Sequence, residues 1–321
     1  MPDEYGMKNK KLTGLALGSG GAKGIAHISV IEYLEKKSVK IDMIAGSSAG
    51  ALIGAIYLCG NLSKFKSELI SFTKADLISM ISPIIPVSGL INSSRIMKWL
   101  EKFIPSDINI ESLPIPLTII ASDFTTGDQI LFSKGNLLSA VRASISVPGI
   151  FQPVNYAGKI MIDGGVVNPL PVDILKSSGA SKIIAVNLHP SLKTGQKTKP
   201  KHEEFKPAKF KPHSSPLISG ISGLADKINY KLLKKLTTFI VLKEKSASRN
   251  LPNIFEIISQ TIDIMGLKNT ELLLKYCKPD VLIEPDLLSF GTLEFYRAFE
   301  ALVEGNNACK KKDSEITELL K

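Results

Sequence analysis

Residues 44–52 read Ile-Ala-Gly-Ser-Ser-Ala-Gly-Ala-Leu, and they place a serine between two glycines. Gly46, Ser48 and Gly50 have the spacing Gly-x-Ser-x-Gly, between an apolar stretch predicted to be a strand and an apolar helix at residues 48–58. In that context the spacing is typical of a nucleophile elbow, a sharp turn that exposes a serine hydroxyl above a sheet. Serine is also an ordinary N-cap residue, so the motif alone leaves both roles open.

Another strand, loop and helix precede this turn. Residues 12–17 are predicted to form a strand, residues 18–24 a glycine-rich loop, and residues 25–37 a helix whose apolar positions recur at helical spacing. Glycines let backbone amides approach an anion closely, and the positive end of the following helix dipole adds to that attraction. Two such units in succession predict parallel strands.

The glycine-rich loop suits either a nucleotide phosphate or a developing oxyanion. A dinucleotide fingerprint requires glycine at the sixth position of Gly-x-Gly-x-x-Gly, but counting from Gly18 places Lys23 there. The Gly-Lys-Ser/Thr sequence of a Walker A loop is also absent. Asp42, on the second predicted strand, is the feature that keeps a dinucleotide-binding alternative open.

Short β-branched or aliphatic runs alternate with helix-like stretches over the rest of the chain, which favours one α/β domain at residues 12–310. Residues 1–11 and 311–321 are interpreted as an N-terminal and a C-terminal tail. The further predicted strands are residues 40–45, 116–121, 129–132, 159–162, 182–188 and 280–284, and the further predicted helices are residues 136–143, 172–176, 253–276 and 293–303. The last strand is expected to join the same sheet.

Half of the net positive charge is concentrated in one segment. The chain has 40 Lys and Arg against 30 Asp and Glu, a formal charge of +10, and residues 191–215 hold seven lysines against two glutamates. Two interpretations of this Lys-rich segment stay open: a solvated, flexible insertion, or a tether that makes peripheral contact with an anionic membrane. Lysine and proline with few aromatic residues disfavour a nucleic acid partner.

Composition excludes several other classes of protein. The three cysteines, Cys59, Cys277 and Cys309, are far apart and predict neither a disulfide framework nor a zinc site. No apolar run reaches the roughly 18 residues of a spanning helix, and residues 12–17 are too short for the apolar core of a signal peptide. These features indicate a cytoplasmic protein that either stays in solution or binds a membrane peripherally.

A third motif contains an acid, Asp163, that complements the Gly-x-Ser-x-Gly turn and the glycine-rich loop chemically. Asp163 follows an apolar strand and precedes Gly164 and Gly165. Asp-Gly is ordinary turn chemistry when it stands alone. Ester hydrolysis, however, requires an activated oxygen nucleophile, a proton acceptor and donors to the oxyanion, and the three loops contain one of each.

These motifs together resemble those of the patatin-like phospholipases. The resemblance rests on residues 20–24, 46–50 and 163–165 and on Ala-Ser-Ile-Ser-Val-Pro-Gly-Ile-Phe at residues 143–151, and it extends over residues 12–188. It implies a three-layer α/β/α fold with a mainly parallel central sheet. It also implies a serine lipid acyl hydrolase of the phospholipase A or lysophospholipase type, acting on lipid or phospholipid acyl esters without cofactor or metal.

The resemblance further implies a Ser-Asp dyad. Ser48 would attack the acyl carbonyl, Asp163 would accept its proton, and the residues that support these motifs would be Lys23, Gly24, Gly46, Gly50, Gly164 and Gly165. The backbone amides of Gly20, Gly21 and Ala22 would hold the oxyanion. Acyl-chain walls are expected at residues 75–91 and at Ile150 and Phe151.

Two alternatives stay open at this point. His189 follows a predicted strand, so Ser48, Asp163 and His189 have the chain order of an α/β-hydrolase triad, and histidine is the better base near neutral pH. The other alternative is a non-catalytic module that binds membranes through the Lys-rich segment. Of the remaining histidines, His27 is expected to be packed in the first helix, and His202 and His213 to be solvated. Asp123 and Asp128 are expected to flank a hairpin turn, not a calcium loop.

Overall fold

Strands and helices alternate along the residues that the computed structural model describes, which are 11–80, 93–189 and 254–320. The strands are β1 Thr13–Leu17, β2 Met43–Ser47, β3 Leu117–Asp123, β4 Gln129–Phe132, β5 Val154–Tyr156, β6 Lys159–Asp163, β7 Lys182–Val186 and β8 Val281–Ile283. The helices are α1 Ala26–Lys36, α2 Ala49–Leu58, α3 Leu62–Ile70, α4 Lys74–Met80, α5 Ser93–Leu100, α6 Leu137–Ser144, α7 Val172–Ser177, α8 Ile254–Tyr276, α9 Ala298–Lys311 and α10 Asp313–Glu318.

One mainly parallel sheet forms the centre of the fold. Its strand order is β5-β6-β3-β2-β1-β7-β8, with β4 also paired to β3. Strands β1, β2, β3, β7 and β8 are parallel, and β4 and β6 pair antiparallel with β3. The prediction that the last strand joins this sheet is confirmed, as is the hairpin between Asp123 and Asp128, because β3 and β4 are antiparallel neighbours.

Alternating residues of the strands pack into two separate apolar cores. Leu15 and Leu17 of β1 lie in the larger core with residues of α1, α2, α6 and α9. Ala16, between them, lies in the second core with α7 residues and with Leu274 of α8. Because successive side chains of a strand point to opposite faces, helices cover both faces of the sheet. The predicted three-layer α/β/α architecture is confirmed.

The predicted boundaries differ from the observed ones at several elements. Helices α3, α4 and α5 and strand β5 were not predicted, although the buried positions of α3 have helical spacing. The helix predicted at residues 293–303 begins at Ala298, after a single turn of 3-10 helix. Residues 313–318, assigned to the C-terminal tail, form α10, where Ile316 is buried and Asp313 accepts a hydrogen bond from the Tyr33 hydroxyl.

Some of the predictions fall on residues that the structure does not describe. Residues 1–10, the Lys-rich segment, His202 and His213 lie outside the described residues, as do residues 81–91 of the predicted apolar wall. Within the described ranges, no helix combines the length and the apolar composition that crossing a bilayer requires.

Helix α2 packs directly against the end of β1, and this contact fixes the position of the Gly-x-Ser-x-Gly turn. A Cβ atom on Gly50 would lie 2.0 Å from the carbonyl oxygen of Leu17. The atom that it would meet belongs to the backbone of a central strand, which cannot move aside without disturbing the sheet. The second glycine of the motif is therefore required by packing.

We expect Gly50→Ala to lower the free energy of unfolding by roughly 1–3 kcal/mol or more, since overpacking a rigid core has costs in this range. Gly54→Ala in the same helix is the matched control, because its Cβ would lie 3.3 Å from a side-chain methyl of Ile44. Alanine at that position also gains helix propensity, by about 1 kcal/mol. Urea denaturation followed by circular dichroism measures both effects, and equal losses of stability would contradict the packing argument.

Candidate active site

Ser48 lies at the turn between β2 and α2 with an unusual backbone conformation. Its φ and ψ are 53° and −117°, a combination that non-glycine residues rarely adopt. Two hydrogen bonds connect the turn to α6 and β3: the Ser48 amide donates to Ser144 Oγ at 2.8 Å, and Ser144 Oγ donates to Ile120 O at 2.6 Å. This is the geometry of a nucleophile elbow. The neighbouring Ser47 is fully buried in β2, and its hydroxyl has no hydrogen-bond partner among the described residues.

Asp163 ends β6 and contacts Ser48 directly. Ser48 Oγ donates to Asp163 Oδ2 at 2.5 Å, and the Gly165 amide donates to Asp163 Oδ1 at 2.7 Å. Both side chains are almost fully buried, with Ser48 4% and Asp163 5% exposed. The two residues that the sequence motifs suggested as nucleophile and base are thus hydrogen-bonded to each other.

The environment of Asp163 changes its acidity. Burial raises the pKa of Asp163 to about 7, against the opposing effect of the hydrogen bonds from the Ser48 hydroxyl and the Gly165 amide. An aspartate in water is a weak base near neutral pH because its pKa is about 3.9. In this site the carboxyl group changes its charge near neutral pH, which suits proton transfer to and from a serine hydroxyl.

The glycine-rich loop lies beside this pair, but its three amides are not equivalent. Gly20 and Gly21 line a small cavity together with Ser48 and Asp163. The amide of Ala22 donates instead to the carbonyl oxygen of Thr292 at 2.8 Å. The Ala22 amide, expected to bind the oxyanion with the other two, is therefore already hydrogen-bonded to a segment distant in sequence in this conformation.

The other glycines of the motifs lie where chain segments approach closely. A Cβ on Gly165 would lie 2.6 Å from Ser19 Oγ, so the Asp163 turn and the glycine loop are in contact. Gly24 and Gly46 pack against residues of α2, and Gly164 packs against β3. Lys23 is nearly buried and forms an ion pair with Asp263.

The structure does not assemble the alternative triad with His189. His189 Nε2 lies 3.2 Å from Ser19 Oγ, and its Nδ1 lies 3.7 Å from an oxygen of Asp263. Among the described residues, no hydrogen bond joins His189 to Ser48 or to Asp163. Asp163 hydrogen-bonds the Ser48 hydroxyl itself and so takes the place that the imidazole would need.

The positions of Asp42 and His27 test two further interpretations of the sequence. Asp42 precedes β2 and accepts a hydrogen bond from the amide of Thr13 at 3.0 Å, at the start of β1 and away from the glycine loop. The dinucleotide-binding alternative loses its acidic residue as a result. His27 is buried as expected, and its Nε2 donates to the Gly18 carbonyl at 2.8 Å.

Ser48 also lines a second, apolar cleft. This cleft has about 810 Å³ of empty space, including the part open to solvent. Ile150 and Phe151 line it, as expected for an acyl-chain wall, and Leu77 does so from α4. Residues that were not predicted complete it, among them Leu52, Phe65, Trp99 and Phe295.

Several residues that support the site were not predicted from the sequence. Ser144, which holds the Ser48 amide, lies in the 143–151 motif, but nothing in its neighbours indicates that role. Thr292 and Asp263 come from segments far along the chain, and no local pattern places them at the glycine loop. Only the folded topology brings them there.

Comparison with known proteins is consistent with this geometry. A family model described as "Patatin-like phospholipase" matches residues 15–176. An uncharacterized NTE family protein of Mycobacterium tuberculosis is 38% identical over 177 residues, which cover 55% of this chain and 49% of that protein. A second uncharacterized NTE family protein of Mycobacterium tuberculosis is 28% identical over 316 residues, covering 96% of this chain and 48% of that protein.

A mammalian relative is similar over about half of this chain. Patatin-like phospholipase domain-containing protein 6 of Mus musculus is 32% identical over 181 residues, which cover 54% of this chain and 13% of that protein. The chain spans about half the length of the mycobacterial relatives. The family model covers half of the chain and includes both Ser48 and Asp163. This chain therefore belongs to the patatin-like phospholipase family.

Proposed function

We propose that this protein is a serine lipid acyl hydrolase that cleaves fatty acyl esters through an acyl-enzyme on Ser48. The observation that carries the proposal is the 2.5 Å hydrogen bond from Ser48 Oγ to Asp163, where a small cavity that includes serine, histidine and aspartate side chains meets an apolar cleft. A lipid ester has the matching shape, since one side of its carbonyl is an apolar chain and the other side is a polar alcohol.

Asp163 acts as the base in both half-reactions of the proposed mechanism. It takes the Ser48 proton as Oγ attacks the acyl carbonyl, and it gives that proton to the oxygen of the leaving alcohol when the ester bond breaks. In the second half-reaction it takes a proton from water as the water attacks the acyl carbon, and returns it to Ser48 Oγ. A carboxyl group that titrates near pH 7 is matched to both transfers.

The amides of Gly20 and Gly21 are the proposed oxyanion donors. Both residues line the cavity that Ser48 shares, and Gly21 has a φ of +56° that orients the loop. Ala22 joins them only in a conformation where its amide leaves the Thr292 carbonyl. Preorganised backbone donors of this kind contribute several kcal/mol to stabilising a tetrahedral intermediate.

The substrate class follows from the apolar cleft. We propose that it holds the acyl chain of a lipid or phospholipid. Peripheral contact of the Lys-rich segment with anionic membrane is part of the proposal and is supported by its charge alone.

We expect Ser48→Ala to abolish hydrolysis of p-nitrophenyl butyrate and of phospholipid vesicles, and Asp163→Asn to lower kcat by roughly 1,000-fold or more, as for other nucleophile and base pairs. Ser47→Ala is the matched control, because that hydroxyl is buried and has no hydrogen-bond partner among the described residues. Full turnover by Ser48→Ala would refute the mechanism. Mass spectrometry of released lipids identifies the bond that is cut.

We expect the buried acid to make stability depend on pH. The Asp163 carboxyl has a pKa of about 7 when folded and 3.8 when unfolded, so its contribution to stability is fully present below pH 3.8 and is lost as the pH rises to about 7. Asp163→Asn removes this titration, so the stability of the variant relative to wild type should increase between pH 4 and 7, by at most about 4 kcal/mol. Urea denaturation across this range measures the difference, and a constant difference would contradict the raised pKa.

We expect Leu52→Trp to shorten the preferred acyl chain, because the larger side chain fills part of the apolar cleft. Hydrolysis of the palmitate ester should fall roughly tenfold relative to that of the butyrate ester, in line with one to two methylene groups of lost fit. Ile70→Trp is the control, since Ile70 is half exposed and does not line the cleft. An unchanged chain-length profile in Leu52→Trp would show that the acyl chain binds elsewhere.

A further inference from the structure

Four polar side chains form a closed arrangement around the glycine loop. Lys23 Nζ lies 3.1 Å from Asp263 Oδ2, and the other carboxylate oxygen of Asp263 lies 3.7 Å from His189 Nδ1. His189 Nε2 in turn lies 3.2 Å from Ser19 Oγ. Ser19 and Lys23 are the residues on either side of Gly20, Gly21 and Ala22. One carboxylate on α8 thus forms an ion pair at the Lys23 end of the glycine loop and lies near His189, which shares a hydrogen bond with the Ser19 end. We call these four residues the polar ring.

The imidazole of the polar ring is uncharged near neutral pH. Burial lowers the pKa of His189 to about 4, and the nearby Lys23 acts in the same sense, so the imidazole is neutral near pH 7. The neutral ring shares a hydrogen bond of 3.2 Å with the Ser19 hydroxyl through Nε2. The charged pair of the polar ring is therefore Lys23 and Asp263.

The centre of the glycine loop is tied to the same helix. Ser259 of α8 and Thr292 share a hydrogen bond between their hydroxyl oxygens at 2.6 Å. The Thr292 carbonyl oxygen accepts the amide of Ala22. Helix α8 therefore reaches the loop directly at Lys23 and through Thr292 at Ala22, and Gly20 and Gly21 line the cavity beside Ser48.

We propose that Asp263 is a positioning residue for the acyl transfer: its ion pair with Lys23 ties α8 to the glycine loop and so fixes the amides of Gly20 and Gly21 toward Ser48. This inference rests on the proposed function. Asp263 and His189 lie beyond residues 15–176, the region that matches the family model. The later part of the chain therefore completes a site whose reacting groups lie in the earlier part.

A purely structural ion pair is the competing explanation. The Lys23 side chain is only 9% exposed, so removing Asp263 leaves a buried ammonium group without its counter-ion, and this destabilises the fold whatever the pair does for catalysis. The double variant Lys23→Met/Asp263→Leu separates the two explanations. It restores the balance of charge and the apolar packing, but it does not restore the connection between α8 and the loop.

The kinetic test compares wild type, Asp263→Asn and the double variant on p-nitrophenyl butyrate. We expect kcat to fall roughly 10- to 100-fold in both variants with KM changed less than about twofold, because the oxyanion donors act mainly in the transition state. The melting temperature should fall in Asp263→Asn and recover in the double variant. Glu271→Gln is the matched control on the same helix, where the carboxylate pairs with Lys268 at the surface.

Hydrogen exchange gives a readout that does not depend on turnover. Amides in residues 18–25 should exchange roughly tenfold faster in both variants than in wild type, while β1 and β2 keep their protection. Unchanged exchange in the loop overturns the inference, with or without a fall in kcat. Recovery of kcat in the double variant also overturns it, because charge balance alone would then suffice. If wild type shows no turnover that depends on Ser48, the proposed function fails, and loop exchange still decides whether Asp263 holds the loop.

Discussion

The hydrogen bond between the Ser48 hydroxyl and the Asp163 carboxylate constrains the rest of the described structure. The two residues are 115 positions apart, and they meet because β2 and β6 both pair with β3. Ser47, the last residue of β2, pairs with Ile120 of β3, and Asp163, the last residue of β6, pairs with the next residue, Ala121, so the two strands end side by side on β3. A change in the register of either strand would separate the two side chains. The contact between Ser48 and Asp163 therefore requires the observed pairing of β2 and β6 with β3.

This contact has costs that the surrounding structure offsets. Ser48 has a positive φ, and burial opposes ionisation of Asp163. Ser144 fixes the backbone of the turn, and the Gly165 amide fixes the carboxylate. The close packing of Gly50 against β1 leaves the turn little room to relax. Burial destabilises the Asp163 carboxylate and so makes it a stronger base. This suits a site whose acid must change its charge near neutral pH.

Local sequence patterns predicted the parts of the site that local chemistry determines. Glycine spacing, apolar strands and turn residues indicated Ser48, Asp163 and the glycine loop, and they also predicted the parallel sheet. Contacts between distant segments were not predictable in this way. Ala22 was expected to bind the oxyanion, but Thr292 accepts its amide; His189 was weighed as a partner of Ser48, but it pairs with Ser19. Helix α3 shows a different failure, because its helical spacing was present in the sequence and was not used.

The proposed mechanism depends on the transfer of one proton between Ser48 and Asp163, an acid that titrates near pH 7. The most direct measurement is the rate at which a fluorophosphonate labels Ser48 as a function of pH, with the labelled peptide identified by mass spectrometry. The mechanism predicts that the labelling rate of wild type rises with pH to a plateau, with a midpoint near pH 7. This midpoint should be absent in Asp163→Asn. Labelling of another residue, or a midpoint that persists in Asp163→Asn, would contradict it.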